Sequence, residues 1–417
     1  MRRREFLEAA LLAPLARSCG SAPSPTSPTP GPTTPATPPT AQVPPSGSVI
    51  FHVSGVPDQP FTGAANHHAG VDALLQLMGQ SGLKLHRSST QSDTSGPSGM
   101  IASGDVVLVK VNAQWKYRGC TNSDVVRGLI QRILEHPDGF SGEVVIVENG
   151  QGRGSLRCDT SSSYGGDRAV HANANDESHS FTYLVEQVFR DARVSSALLD
   201  AIRTTFIGAE DHVTNGYRQV QNVSYPCFNT AGGRRVELLE GIWTGSRHEG
   251  SLKLMNVPVL KHHDTGGSEI TGAVKHFYGL VSMSDGSSAA RHYSALGETC
   301  GRMIAAVRPP VLNLIDAIWV SHKDLGGFPA SSTHRANQLL ASQDPVALDY
   351  WAAKRVLYAV DSNPRHSPDH ANIDRWLTDC MNIVNSLGGI ARPAEGIHAG
   401  MLTKFESEFR VVTGSAA

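Results

Sequence analysis

Between Asp105 and Gly150 the chain reads DVVLVKVN, then a stretch ending TNSDVVRGLIQRILEH, then GEVVIVENG. The two outer segments are near-continuous β-branched runs, the pattern of strands buried on both faces. The middle segment opens with good N-cap residues and repeats apolar positions at helical spacing. Strand, helix, strand make a βαβ unit, whose strands run parallel because a helix carries the chain back across the sheet. This stretch predicts an α/β fold, a mostly parallel sheet flanked by helices.

The same rhythm extends along the chain. VIFHV reads as a strand, and GVDALLQLMGQSG as a helix closed by Gly79 or Gly82. From about residue 150 to 252 the pattern is irregular: a polar loop, a helix in SFTYLVEQVFRDAR, then hairpin strands in RQVQNVSYPCFNTAGGRRVELLEGIW. These form an insertion in the middle. The alternation then resumes with a strand SLKLMNVPVL and helices ITGAVKHFYGLVS and GETCGRMIAAV. Strands PVLNLIDAIWVS and ANQLLAS follow, then helices DPVALDYWAAKRVLYAV and IDRWLTDCMNIVNSLGG. Residues 49–417 are expected to form a single large α/β domain.

The N-terminus reads differently. Arg3-Arg4-Glu5-Phe6-Leu7 precedes a short apolar run, Ala9 to Ala16, too short to span a bilayer. The order resembles a twin-arginine export signal over residues 1–20; the alternative is a basic helix that stays. Cys19 follows in LARSCG, which resembles a lipoprotein cleavage site, although Arg17 stands where a small residue is usual and Ala16 where Leu is usual. A lipidated Cys19 would attach the protein to a membrane. Residues 21–48, rich in Pro, Thr and Ser, form no core and favour an extended tether of about 80 Å. Without lipidation the tether is a passive spacer. The expected location is the periplasm or the outer face of the cell membrane.

A net charge of −2, with 18 % charged residues, gives no basic surface for nucleic acid. Cys120, Cys158, Cys227, Cys300 and Cys380 are widely spaced and form no CxxC pair, so no iron–sulfur cluster of that type is expected. An oxidising compartment would allow one or two disulfides.

In open α/β sheets, ligands bind beyond the carboxyl ends of the strands. Four predicted ends carry polar groups: Lys110 and Asn112; Glu148 and Asn149; Lys261, His262, His263 and Asp264; and Asp316 with the Ser321–Gly327 segment. Lys110, Lys261 and Lys275 suit a carboxylate or phosphate, and Gly266-Gly267 ahead of a helix would let backbone N–H groups approach the same anion. Alternatively His263, Asp264, Glu148 or Asp316 would hold a divalent metal. Lys261 and His263, two residues apart, face one side of a strand; His262 faces the other. The bland alternative is a solvated polar loop. Asp344 before Pro345 is explained by helix capping, and Asp349 by the dipole of the same helix. No Gly-x-Ser-x-Gly, P-loop or HExxH motif occurs.

Several of these segments together resemble one family. VVLVKVN with TNSDVVRGLIQRI, LMNVPVLKHH, GAVKHFYGLV, LNLIDAI and LLASQDPVALDYWA occur in the order and spacing of the "domain of unknown function 362" proteins, over about Val106 to Val356. The most specific parts are Lys261-x-His263, Lys275 to Gly279, and Asp344-Pro345-Val346-Ala347-x-Asp349. His276 stands where Asn is usual, and Ser342-Gln343 replaces a glycine-containing turn. Some members carry ferredoxin-type cysteine clusters; this chain has none. The resemblance implies a fold and a site location rather than a reaction.

Two functional readings follow. The first is an exported enzyme acting on a small anionic substrate with a divalent metal. Lys110, Lys261 and Lys275 would hold the anion, with Asn112 beside it. His263 would be a general base or a metal ligand. Asp316 and Asp344 would be metal ligands or supporting acids. The alternative is a non-catalytic cell-envelope lipoprotein that captures an anion or a metal.

Overall fold

A computed structural model describes residues 47–62, 66–161, 165–202, 204–263, 266–281 and 289–417. The expected export signal, Cys19 and nearly all of the Pro/Thr/Ser-rich segment lie outside the described residues, as does Asp264. The described residues belong to one compact unit. Among them, no helix is long and apolar enough to cross a membrane.

The βαβ unit positions everything else. Strands β1 (Ser48–Ser54), β2 (Val106–Val111), β3 (Glu143–Glu148) and β4 (Val194–Leu198) belong to one ten-stranded sheet. All six residues of β2 and of β3 are buried, as their unbroken apolar runs require. The helix Ser123–Leu134 crosses between them, with the Asn122 side chain accepting from the Asp124 and Val125 N–H groups.

The irregular middle builds its own five-stranded antiparallel meander. Its strands are β5 (Gly216–Val220), β6 (Val223–Asn229), β7 (Arg235–Glu237), β8 (Gly241–Trp243) and β9 (His248–Glu249). Gln221 and Asn222 both take left-handed backbone angles, which suits a two-residue hairpin turn between β5 and β6.

The chain re-enters the main sheet with β10 (Leu252–Val257) and β11 (Val259–His262). One strand was expected here; Pro258 divides it, because proline has no N–H to give to a ladder. β10 pairs with β2, placing Asn256 beside Lys110. β11 instead runs parallel to β13 (Leu312–Ser321) and antiparallel to the short β12 (Ile270–Thr271). β14 (Thr333–Ser342) returns antiparallel to β13, and β15 (Phe409–Ser415) lies parallel to β1 at the sheet edge. Strands β2, β3, β4, β10, β11 and β13 all run one way. Their carboxyl ends therefore share one rim.

The expected helix over ITGAVKHFYGLVS is shorter than its sequence suggests. Only Ala273–His276 is α-helical, continued by a 3-10 turn over Phe277–Leu280. Ile270 and Thr271 ahead of it are drawn into the sheet by β11.

A candidate anion-binding cleft

The rim opens into a small cleft of about 40 Å³. Lys110, Asn112, Lys261, His263 and Lys275 all line it, together with Glu148, His276, Gln114, Trp115, Gln151, Thr271, Tyr278 and Gly279. Such a volume has room for a few water molecules or a small ion.

Lys110, near the end of β2, is 1 % exposed and fully engaged. Its ammonium donates to the Glu148 carboxylate, to the Val111 carbonyl at 2.9 Å and to His276 Nε2 at 2.9 Å. His276 Nε2 accepts that bond, so Nδ1 carries the proton and donates to Asn256 Oδ1 at 2.6 Å. Asn256 then donates to the Ala273 carbonyl and to Asn313 Oδ1. Burial pushes Glu148 up to about 7, against the pull of Lys110, and pushes Lys110 down. Burial, reinforced by Lys110, holds His276 well below its usual range, so it stays neutral.

Lys261 is built differently. It is 2 % exposed. Among the described residues its one hydrogen bond goes to the Gly119 carbonyl, at 2.6 Å. Burial is the main reason that its ammonium falls to about 7, with the charge of Lys275 adding to the effect. Lys275 meets His292 Nε2 at 2.9 Å and lies 5.7 Å from the Tyr278 ring centre. The His292 ring stacks on Tyr278 and meets His263 edge-on at 5.4 Å.

The helix that carries Lys275 and His276 is held from outside. Asp349 accepts from the Ala273 and Val274 N–H groups, so it caps this helix rather than stabilising its own, as the sequence suggested. Gly272 is required at the junction: a Cβ there would sit 2.3 Å from Asp349 Oδ1. Asn112 spends its carboxamide oxygen on the Val259 N–H, tying the chain together past Pro258.

Of the residues expected to hold a metal, Asp316 and Asp344 have other partners. Asp316 does not line the cleft; it accepts from the Asn122 and Ile318 N–H groups and from Asn173. Asp344 caps its own helix through the Val346 and Ala347 N–H groups and also accepts from Ser48 and Thr403. Both carboxylates are consumed by the backbone around them. Among the described residues, His263, Asp316 and Asp344 do not come together as a ligand set. His262 faces elsewhere, sharing a hydrogen bond with His366, which contacts Asp361. The five described cysteines are buried free thiols.

A second polar cluster lies in the meander. His212 Nδ1, His248 Nε2 and a Glu237 oxygen lie within 4.8 Å of one another, close enough for metal ligands. The same carboxylate also accepts from Arg218 and Arg235. Two guanidinium groups occupy its oxygens and repel a cation, so the set fits a closed ion-pair network better than a metal centre.

Sequence reasoning passed over Gln114, Trp115, Gln151 and Tyr278 and gave His276 no role. Trp115 lies only three residues past Asn112 and His276 adjoins Lys275, so proximity to a strand end was the available signal.

Residues 227–354 match the family model "Domain of unknown function (DUF362)". The match includes Lys261, His263, Lys275 and Asp349, but not Lys110 or Glu148. No curated protein and no solved structure matches the chain.

Proposed function

We propose that this chain is an exported enzyme that binds a small anionic substrate in the rim cleft and moves protons on it. The observation that carries the reading is Lys261, a lysine buried at the cleft whose one hydrogen bond among the described residues goes to a backbone carbonyl. A carboxylate or phosphate beside Lys261 would offset the cost of burying its charge. Lys110 and His276 would present a fixed wall, because their hydrogen bonds to Glu148 and Asn256 set their orientation. Lys261, with its proton affinity near neutrality, and His263 are the acid–base candidates. Export rests on Arg3-Arg4 and the apolar run after them, with Cys19 as the lipid attachment point.

The test is a calorimetric panel of small carboxylates and phosphate, followed by turnover assays on each binder. Binding with turnover supports the enzyme. Binding without turnover across the panel supports the alternative, an envelope protein that captures an anion. If none binds, the cleft is not an anion site.

A further inference from the structure

We propose that Lys261 is a nucleophilic amine that condenses with the carbonyl of a small 2-oxo acid, whose carboxylate lies against Lys275. The inference rests on the anion-site reading above and names the substrate class for it.

The three lysines of the cleft are not equivalent. Lys110 gives its protons to a carboxylate, an imidazole and a carbonyl. That ammonium is locked and has no lone pair to offer. Among its described neighbours Lys275 meets the His292 nitrogen and the Tyr278 ring, whose face favours a cation. Lys261 is buried with one hydrogen-bond acceptor, the Gly119 carbonyl. A neutral amine satisfies that acceptor with one N–H and keeps its lone pair for chemistry; an ammonium would leave two N–H groups unmatched in a buried place. Desolvation beside a second cation is a known way to activate a lysine. Both conditions hold here, and they bring Lys261 to about 7. Lys275 lines the same cleft beside Lys261, so a compact molecule with a carboxylate next to its carbonyl, such as glyoxylate or pyruvate, suits the pair.

The step balances without a redox partner. Nζ attacks the carbonyl carbon, and the C=O π pair moves to oxygen. The proton lost from nitrogen passes to that oxygen, giving a carbinolamine. The nitrogen lone pair then expels the hydroxyl as water, with a proton delivered by the site, leaving a protonated imine. His263, on the same cleft, is placed to carry that proton.

The test is reductive trapping. The full chain is mixed with glyoxylate or pyruvate, reduced with cyanoborohydride, and mapped by peptide mass spectrometry, while phosphate and acetate binding is measured calorimetrically on the same preparation. The expected result is one dominant adduct on Lys261. Its yield should rise through pH about 7. The adduct should be absent in Lys261→Arg and weaker by about tenfold in Lys275→Met, the loss of one charge contact. Adducts confined to exposed lysines such as Lys323 would overturn the proposal, and that result needs no variant to fold. If anion binding persists without a Lys261 adduct, only the imine is wrong. If binding and adduct are both missing, the anion site fails with it.

Discussion

Around Glu237, two guanidinium groups and two imidazoles converge on one buried carboxylate. Around Lys261, a buried ammonium has a single described carbonyl, and the neighbouring Lys275 adds a like charge. Both are clusters of charge removed from water. The first is closed, with every oxygen of the acid answered, and acts as a brace between strands of the meander. At the second, Lys261 has one carbonyl acceptor and lines the cleft, where a ligand would add another partner. A buried charge alone does not mark a site; a buried charge with few partners that faces a cleft is a candidate for one.

The largest stability effect is expected at the closed cluster. Glu237→Ala leaves Arg218 and Arg235 facing each other without their acid, and should cost about 3–5 kcal/mol in denaturant unfolding. Anion affinity should not change in the protein that remains folded. At the open cluster the sign reverses. Lys261→Met keeps the volume and removes an under-compensated cation, so it should stabilise the fold by about 1–4 kcal/mol while weakening anion binding. This gain depends on pH. Lys261 titrates near 7 in the folded chain against 10.5 unfolded. Between those values the unfolded chain holds a proton that the folded chain has lost, so wild-type stability rises with pH across that window. The gain from Lys261→Met is therefore greatest below pH about 7, and the variant loses this slope.

A smaller effect is expected on the wall of the cleft. A Cβ at Gly279 would lie 2.8 Å from the Lys110 Nζ. Gly279→Ala should cost about 1–3 kcal/mol by forcing Lys110 away from Glu148. The smallest effect belongs to His262, whose partners lie outside the cleft. His262→Ala should leave anion affinity within about twofold of wild type, under 0.5 kcal/mol. Isothermal titration on the two variants side by side would sharpen the boundary of the site.

The sequence made the strand ends legible because their signal is local. A period of two puts Lys261 and His263 on one side, and the apolar runs of β2 and β3 announce burial. Pairings between distant segments were not legible. Lys110 finds Glu148 and His276, and Asp349 finds the N–H groups of Ala273 and Val274, only after the sheet has assembled. Asp344 before Pro345 was legible as a helix cap, whereas Asp316 looks the same on paper as any metal-binding acid, and the Asn122 and Ile318 N–H groups decide otherwise. Strand direction also leaves no local mark, so β14 reads like its parallel neighbours. β15 was passed over because it is a half-exposed edge strand with a weak apolar pattern.

Lys261, buried at the cleft with one carbonyl acceptor, takes an anion as its further partner in this reading. The direct measurement is calorimetric titration of phosphate and acetate into wild type and Lys261→Met at pH values on both sides of about 7. Wild-type affinity should fall as Lys261 loses its proton, and the variant should bind more weakly with no such dependence. Equal affinity in the two proteins at every pH would contradict it.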